Sequence, residues 1–187
     1  MVRGPSADQG QFIGDVLERE ENTNGIAAKK HLQLMLLATD HLGDSLASLE
    51  FLKRLPQVDV HRIALIGHSF GGQLTLLEAV RDNTVRVAVT FGAAAASWNG
   101  SEEVRSSLLE AADKISVPVL LIHAANDYSL APGEAMASEF SRLSKPYSLK
   151  IYPLVGKSSS EGHNFLYSNT SLWEPDVFQF LKENLRP

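Results

Sequence analysis

The chain has 187 residues, 44% hydrophobic and 21% charged, which fits one globular domain with a sizeable core. Its net charge of −5, with no basic cluster interleaved with aromatics, argues against nucleic acid as a partner. It has no cysteine, which excludes disulfides, thiolate metal sites and a cysteine nucleophile.

The opening stretch, MVRGPSADQG, has no apolar signal core. The longest apolar run, residues 117–125, contains a proline and a histidine and is too short to span a bilayer. These features lead us to expect a cytoplasmic protein without membrane contact. Residues 1–26 are polar and glycine-containing, and read as an irregular segment with at most a short helical piece. From Ile26 to Leu55 the pattern changes. Leu32, Met35, Leu36, Thr39, Leu42, Leu46, Leu49 and Leu52 recur at steps of three and four, the face of one long helix stopped by Pro56.

Residues 62–67 form a short apolar run, the profile of a buried strand. A helix follows over 70–81, then a β-branched strand over 85–91. A loop from Ser97 passes into a polar helix after Ser101, where Ser-Glu-Glu-Val has the form of a capped helix start. A third strand over 117–123, a helix over 132–143 and a fourth strand over 147–152 come next. A glycine- and serine-rich loop over 156–162 leads to a last helix over 173–185. Strands alternating with helices predict a mostly parallel sheet of about four strands flanked by helices, in one α/β domain spanning 1–187.

Between the first strand and its helix stands Gly67-His68-Ser69-Phe70-Gly71, a G-x-S-x-G pattern. Small residues two before and two after a serine allow a sharp turn that projects its hydroxyl. The N–H of Phe70, at the start of the helix, is placed to donate to a developing oxyanion. The plain alternative is a glycine-rich strand-to-helix connection. A phosphate-binding loop is another alternative, but the Walker pattern G-x-x-x-x-G-K-[ST] is absent.

A serine nucleophile needs a base, and the base needs an orienting acid. Both belong just past the ends of later strands. Asp127 follows the third strand in LLIHAANDYSLAP, although Asn-Asp also suits an Asx turn or a cap for the next helix. Asp82 and Asp113 fall in or at the ends of helices, and Asp176 follows the last histidine. His163, in GKSSSEGHNF, is the one histidine after Asp127. His31, His41 and His61 precede the motif, His68 lies inside it, and His123 ends a strand ahead of the acid. The expected triad is Ser69, Asp127 and His163. Tyr128, Trp98 and His68 are candidate substrate-lining residues.

With these residues in place, the sequence resembles the α/β-hydrolase superfamily, and within it the dienelactone-hydrolase-like and prolyl-oligopeptidase-like serine hydrolases. GHSFGG is similar to their nucleophile elbow, NDYSLAP to their acid loop, EGHNF to their histidine loop and LWEPDVFQFLKENL to their closing helix. VRGPSADQG resembles the segment after the family's fourth strand. The resemblance therefore implies a truncated α/β-hydrolase fold, without the N-terminal strands and the loop that carries a second oxyanion donor. Loss of one such donor lowers turnover by about 100- to 1000-fold. Dienelactone hydrolases proper commonly use cysteine, so serine at position 69 points to ester rather than lactone chemistry.

The expected function is that of a carboxylesterase-type serine hydrolase acting on small esters with short acyl chains, with no metal or cofactor. A catalytically weak or inactive interaction module is the alternative, and a peptidase ranks below it. The strand from Ile63 to Ile66 would be an apolar sheet edge. A homo-oligomer is expected to cover it, with residues 1–26 or the helix over 27–55 contributing.

Overall fold

The computed structural model describes residues 13–185, which divide into two compact units between Leu55 and Pro56. The expectations for residues 1–12, including the VRGPSADQG resemblance, lie outside the described residues.

The first unit contains α1 (Ile13–Asn24), α2 (Ile26–Ala38) and α3 (Asp40–Lys53). Two sequence expectations are corrected here. Most of the described part of the segment read as irregular, residues 13–26, is the twelve-residue helix α1. Gly25 ends it at φ 87, a left-handed conformation that glycine adopts freely, and its N–H donates to the Glu21 carbonyl at 2.9 Å. The single long helix is in fact two. Thr39 breaks it at φ −119 and ψ −93, with its hydroxyl and its N–H both directed to the Met35 carbonyl at 2.7 and 3.0 Å. This local bonding by a β-branched residue competes with helix continuation.

The second unit carries the sheet. Its strands are β1 (Ile63–His68), β2 (Val85–Phe91), β3 (Val119–Ala124) and β4 (Tyr147–Tyr152), all parallel in the order β1-β2-β3-β4. The connecting helices are α4 (Phe70–Arg81), α5 (Glu102–Lys114) and α6 (Ala131–Arg142). Each crossover advances one strand in the same direction, so right-handed connections place these three helices on one face. The other face is covered from the C-terminal side by α9 (Thr170–Asn184). There Val89, Phe91, Leu120, Ile122 and Ala124 pack with Val155, Phe165 and Val177.

The elements expected from residue 62 onward are present, with ends shifted by a residue or two and α9 starting three earlier. Ser101 caps α5 as its sequence suggested, accepting from the Val104 N–H at 3.2 Å. The exception is the loop over 156–162. It contains the start of a short helix, α7 (Ser159–His163), followed by α8 (Phe165–Ser168). Ser158 and Glu161 form a reciprocal capping box that nucleates α7 despite the surrounding glycines. No helix among the described residues is long and apolar enough to cross a membrane.

Candidate active site

The parallel register brings the C-terminal ends of the strands to one edge: His68 pairs with Phe91, Phe91 with Ile122 and Ile122 with Lys150. Ser69 leaves β1 at this edge with φ 54 and ψ −115 and opens directly into α4. A serine at positive φ is strained, and the surrounding contacts hold it there. Its N–H donates to the Phe91 carbonyl at 2.8 Å, and its own carbonyl receives the Gln73 N–H at 3.2 Å.

The glycines explain how the turn closes, with one change from the sequence reading. A Cβ at Gly67 would lie 2.2 Å from the Gly71 carbonyl oxygen, and one at Gly72 would lie 2.9 Å from Ala93 Cβ. A Cβ at Gly71 would meet nothing within 4 Å. The tight approaches are therefore at Gly67 and Gly72, not at the second glycine of the G-x-S-x-G pattern.

Asp127 follows β3 and is buried, with both carboxylate oxygens occupied. Oδ1 accepts from His163 Nδ1 at 2.7 Å and from the Tyr128 N–H at 2.7 Å. Oδ2 accepts from His123 Nδ1 at 2.8 Å. Burial pushes this carboxyl upward, but the bonds from His123 and His163 more than reverse it, holding the group at about 2. It is therefore an anion at neutral pH.

His163 is buried at the end of α7, so it belongs to a helical turn rather than the expected open loop. Its Nδ1–H faces Asp127, which makes Nε2 the basic nitrogen. Ser69 Oγ has no hydrogen bond among the described residues, to His163 or to any other group. The two residues are tied through the backbone around them. His68 Nε2–H donates to the His163 carbonyl at 2.9 Å, with the two rings 4.6 Å apart. Burial pushes His68 below the ordinary histidine range, and its bond to the His163 carbonyl works against that.

Of the candidate lining residues, Tyr128 is exposed and its ring lies 4.9 Å from that of His163. His68 lies between His163 and Tyr167, whose ring meets it edge-on at 5.4 Å. Trp98 is buried, its carbonyl accepting from Arg105, and it packs into the core.

Three residues that the motif reading passed over complete the arrangement. Gly92, at φ 57, lies so close to the acid and base that a Cβ would sit 2.9 Å from His163 Nδ1 and 3.0 Å from Asp127 Oδ2. Asn126 fastens the acid loop to the histidine loop, donating to the Val155 and Ser158 carbonyls and accepting from the Val155 N–H. His123 is the second imidazole on Asp127; its sequence signal is a single polar residue in the apolar strand VLLIHA. No group of three His, Asp or Glu side chains among the described residues is arranged to hold a metal ion.

The family model described as the dienelactone hydrolase family matches residues 7–176. The chain belongs to the dienelactone hydrolase family. No curated protein matches it. Among solved structures, it is similar to an acylaminoacyl peptidase from Pyrococcus horikoshii, with 20% identity and a TM-score of 0.62 over 77% of this chain and 27% of that one. A puromycin-hydrolyzing peptidase from Mycobacterium tuberculosis gives 20% identity and a TM-score of 0.64, over 85% of this chain and 28% of that one. An esterase from Pyrococcus furiosus gives 15% identity and a TM-score of 0.62, over 79% and 63%. This family member thus has an α/β-hydrolase-like fold and spans about a quarter of the length of the two peptidases.

Proposed function

We infer that the protein is a serine hydrolase of small carboxylic esters with short acyl chains, working through an acyl-serine intermediate. The observation that carries this reading is the 2.7 Å bond between Asp127 and His163, at the same strand-end edge as a serine held at φ 54. Family membership supports a hydrolase, and serine at position 69 supports ester chemistry.

In this mechanism His163 Nε2 takes the proton from Ser69 Oγ as the oxygen attacks the ester carbonyl. Asp127 orients the imidazole and stabilises the imidazolium. The negative charge passes to the carbonyl oxygen, which accepts a hydrogen bond from the Phe70 N–H at the start of α4. Collapse expels the alcohol with the proton from His163. Water, deprotonated by the same nitrogen, then attacks the acyl-serine and releases the acid. Tyr128, exposed beside His163, lines the acyl or alcohol side. The proposal includes a homo-oligomer that covers the Ile63–Ile66 strand.

Hydrolysis of p-nitrophenyl acetate and butyrate by the wild type and by Ser69→Ala tests the reading. We expect the variant to lose about three orders of magnitude or more in kcat. Equal rates would reject the proposal. Stoichiometric labelling of Ser69 by a fluorophosphonate would exclude the inactive-module alternative. The two peptidases among the similar structures make amides the second substrate class to try. Faster turnover of an aminoacyl p-nitroanilide than of the esters would favour that class.

A further inference from the structure

His123 lies on β3, whose side chains alternate between the two faces of the sheet. Leu120, Ile122 and Ala124 enter the cluster under α9. Leu121 and His123 point the other way, into a small cavity with Leu76 of α4, Leu108 of α5 and Met136 of α6. His123 is 2% exposed and carries the one aromatic ring among the residues lining that cavity. An imidazole in such surroundings is costly unless hydrogen-bonded.

Its bond is to the acid of the candidate triad. Nδ1 lies 2.8 Å from Asp127 Oδ2, and because the carboxylate only accepts, the proton must be on Nδ1. Packing keeps the ring there. A Cβ at Gly133, in the first turn of α6, would lie 2.7 Å from Nε2 and 2.8 Å from Cδ2, so the ring fills the space the glycine leaves. Asp127 is therefore held from both ends, by His123 on Oδ2 and by His163 and the Tyr128 N–H on Oδ1.

We propose that His123 is a positioning residue of the hydrolytic site: its Nδ1–H pins Oδ2 of Asp127 and takes a share of the carboxylate's charge, which fixes the orientation and basicity of His163. The proposal rests on the Ser69–Asp127–His163 reading. A carboxylate bonded at one oxygen can pivot about Cβ–Cγ, whereas one bonded at both cannot. A charge divided between two imidazoles also supports each imidazolium less than an undivided one. The other titratable groups facing His163 are His68 at 4.6 Å and Tyr128 at 4.9 Å between ring centres, with Tyr167 behind His68. From α4, α5 and α6, the residues lining the cavity around His123 are uncharged.

The test uses the full chain with His123→Asn, His123→Gln and His123→Leu. Asparagine places an N–H close to the position of Nδ1, glutamine places it close to Nε2, and leucine has none. Ester hydrolysis is measured against pH, and each rate is divided by the number of sites labelled by a fluorophosphonate. We expect His123→Asn to stay within about threefold of wild type, as fits a retained charged hydrogen bond. His123→Gln and His123→Leu should lose about 10- to 100-fold in kcat per labelled site with KM little changed. Their acid limb should move to higher pH, because His163 then receives the undivided charge.

A purely structural role would lower the number of labelled sites and the melting temperature but leave per-site kcat and the acid limb as in wild type. That result overturns the proposal. If the Gln and Leu variants do not fold, the histidine tautomer in the wild type decides, read from long-range nitrogen–proton correlations. Nδ1–H at His123 is expected, and Nε2–H would overturn the proposal. Ser69→Ala run in the same assay separates the two readings. Undiminished hydrolysis there removes the triad itself, whereas a dead Ser69 variant beside unaltered His123 variants removes only the role of His123.

Discussion

Asp127 is the anion at the centre of the site, and its environment makes a pH prediction. Its carboxyl is held at about 2 against an ordinary 3.8, burial acting upward and the two imidazole bonds acting downward. Because the native value is depressed, the unfolded chain binds more protons between these limits, so stability rises with pH across that window. The contribution, ~2 kcal/mol, is fully present above about pH 4 and is lost as pH falls through about 2. Thermal unfolding of wild type and Asp127→Asn from about pH 5 to pH 2 checks this. The wild-type advantage should shrink by about that amount, and a gap that does not change with pH would contradict the account. Ser69, Asp127 and His163 were legible as candidates because chain order and strand ends constrain where a nucleophile, acid and base can lie. His123 was not, since its contact depends on the loop after β3 folding back within one turn onto the strand's own face. Gly92 was hidden for a similar reason: what excludes a side chain there is His163, seventy-one residues later in the chain.

At the scale of elements, the acid and histidine loops behave as one part because Asn126 joins them. Its amide donates to the Val155 and Ser158 carbonyls at 2.8 Å each and accepts from the Val155 N–H at 2.9 Å. Gly162 lies flat against it, since a Cβ there would be 2.6 Å from Asn126 Cγ. Asn126→Ala should cost about 2–3 kcal/mol in urea unfolding, at ~1 kcal/mol for each lost bond. Asn126→Asp should cost more, although it is the same size. It keeps the acceptor for Val155 but turns two donors into acceptors facing carbonyl oxygens. An aspartate variant more stable than the alanine one would show that shape rather than donor geometry joins the loops. The capping box of α7 was present in the letters Ser158 and Glu161, yet glycine and serine around it read as loop. By contrast β2, α4 and β4 were legible to the residue, because an apolar run or a helical period bounded by turn residues leaves little choice of ends. The helix break at Thr39 was not, because the apolar period runs through it and the competing bond to the Met35 carbonyl is local.

For the whole molecule, the sheet order sets where the proposed association can be tested. Among the described residues β1 has one strand neighbour, β2, so the backbone groups on its other side join no ladder. Ile66 is 52% exposed on that strand, where edge strands of soluble proteins usually carry charge, proline or a bulge. A second copy related by a two-fold axis would place its β1 antiparallel alongside and continue the sheet through eight strands. This arrangement uses the same surface on both partners and closes after two. The net charge of −5 is modest enough for two copies to approach at physiological salt. Light scattering after gel filtration should therefore give twice the 20.4 kDa chain mass, falling toward the single chain on dilution. Ile66→Lys introduces the charge that edge strands normally carry and should shift the equilibrium to the monomer. Its circular dichroism and Ser69 labelling should remain those of wild type, because Ile66 lies three residues before the nucleophile and outside the Asp127 cluster. A wild type that stays monomeric at every concentration would remove the dimer, and a lysine variant as dimeric as wild type would place the interface elsewhere than β1.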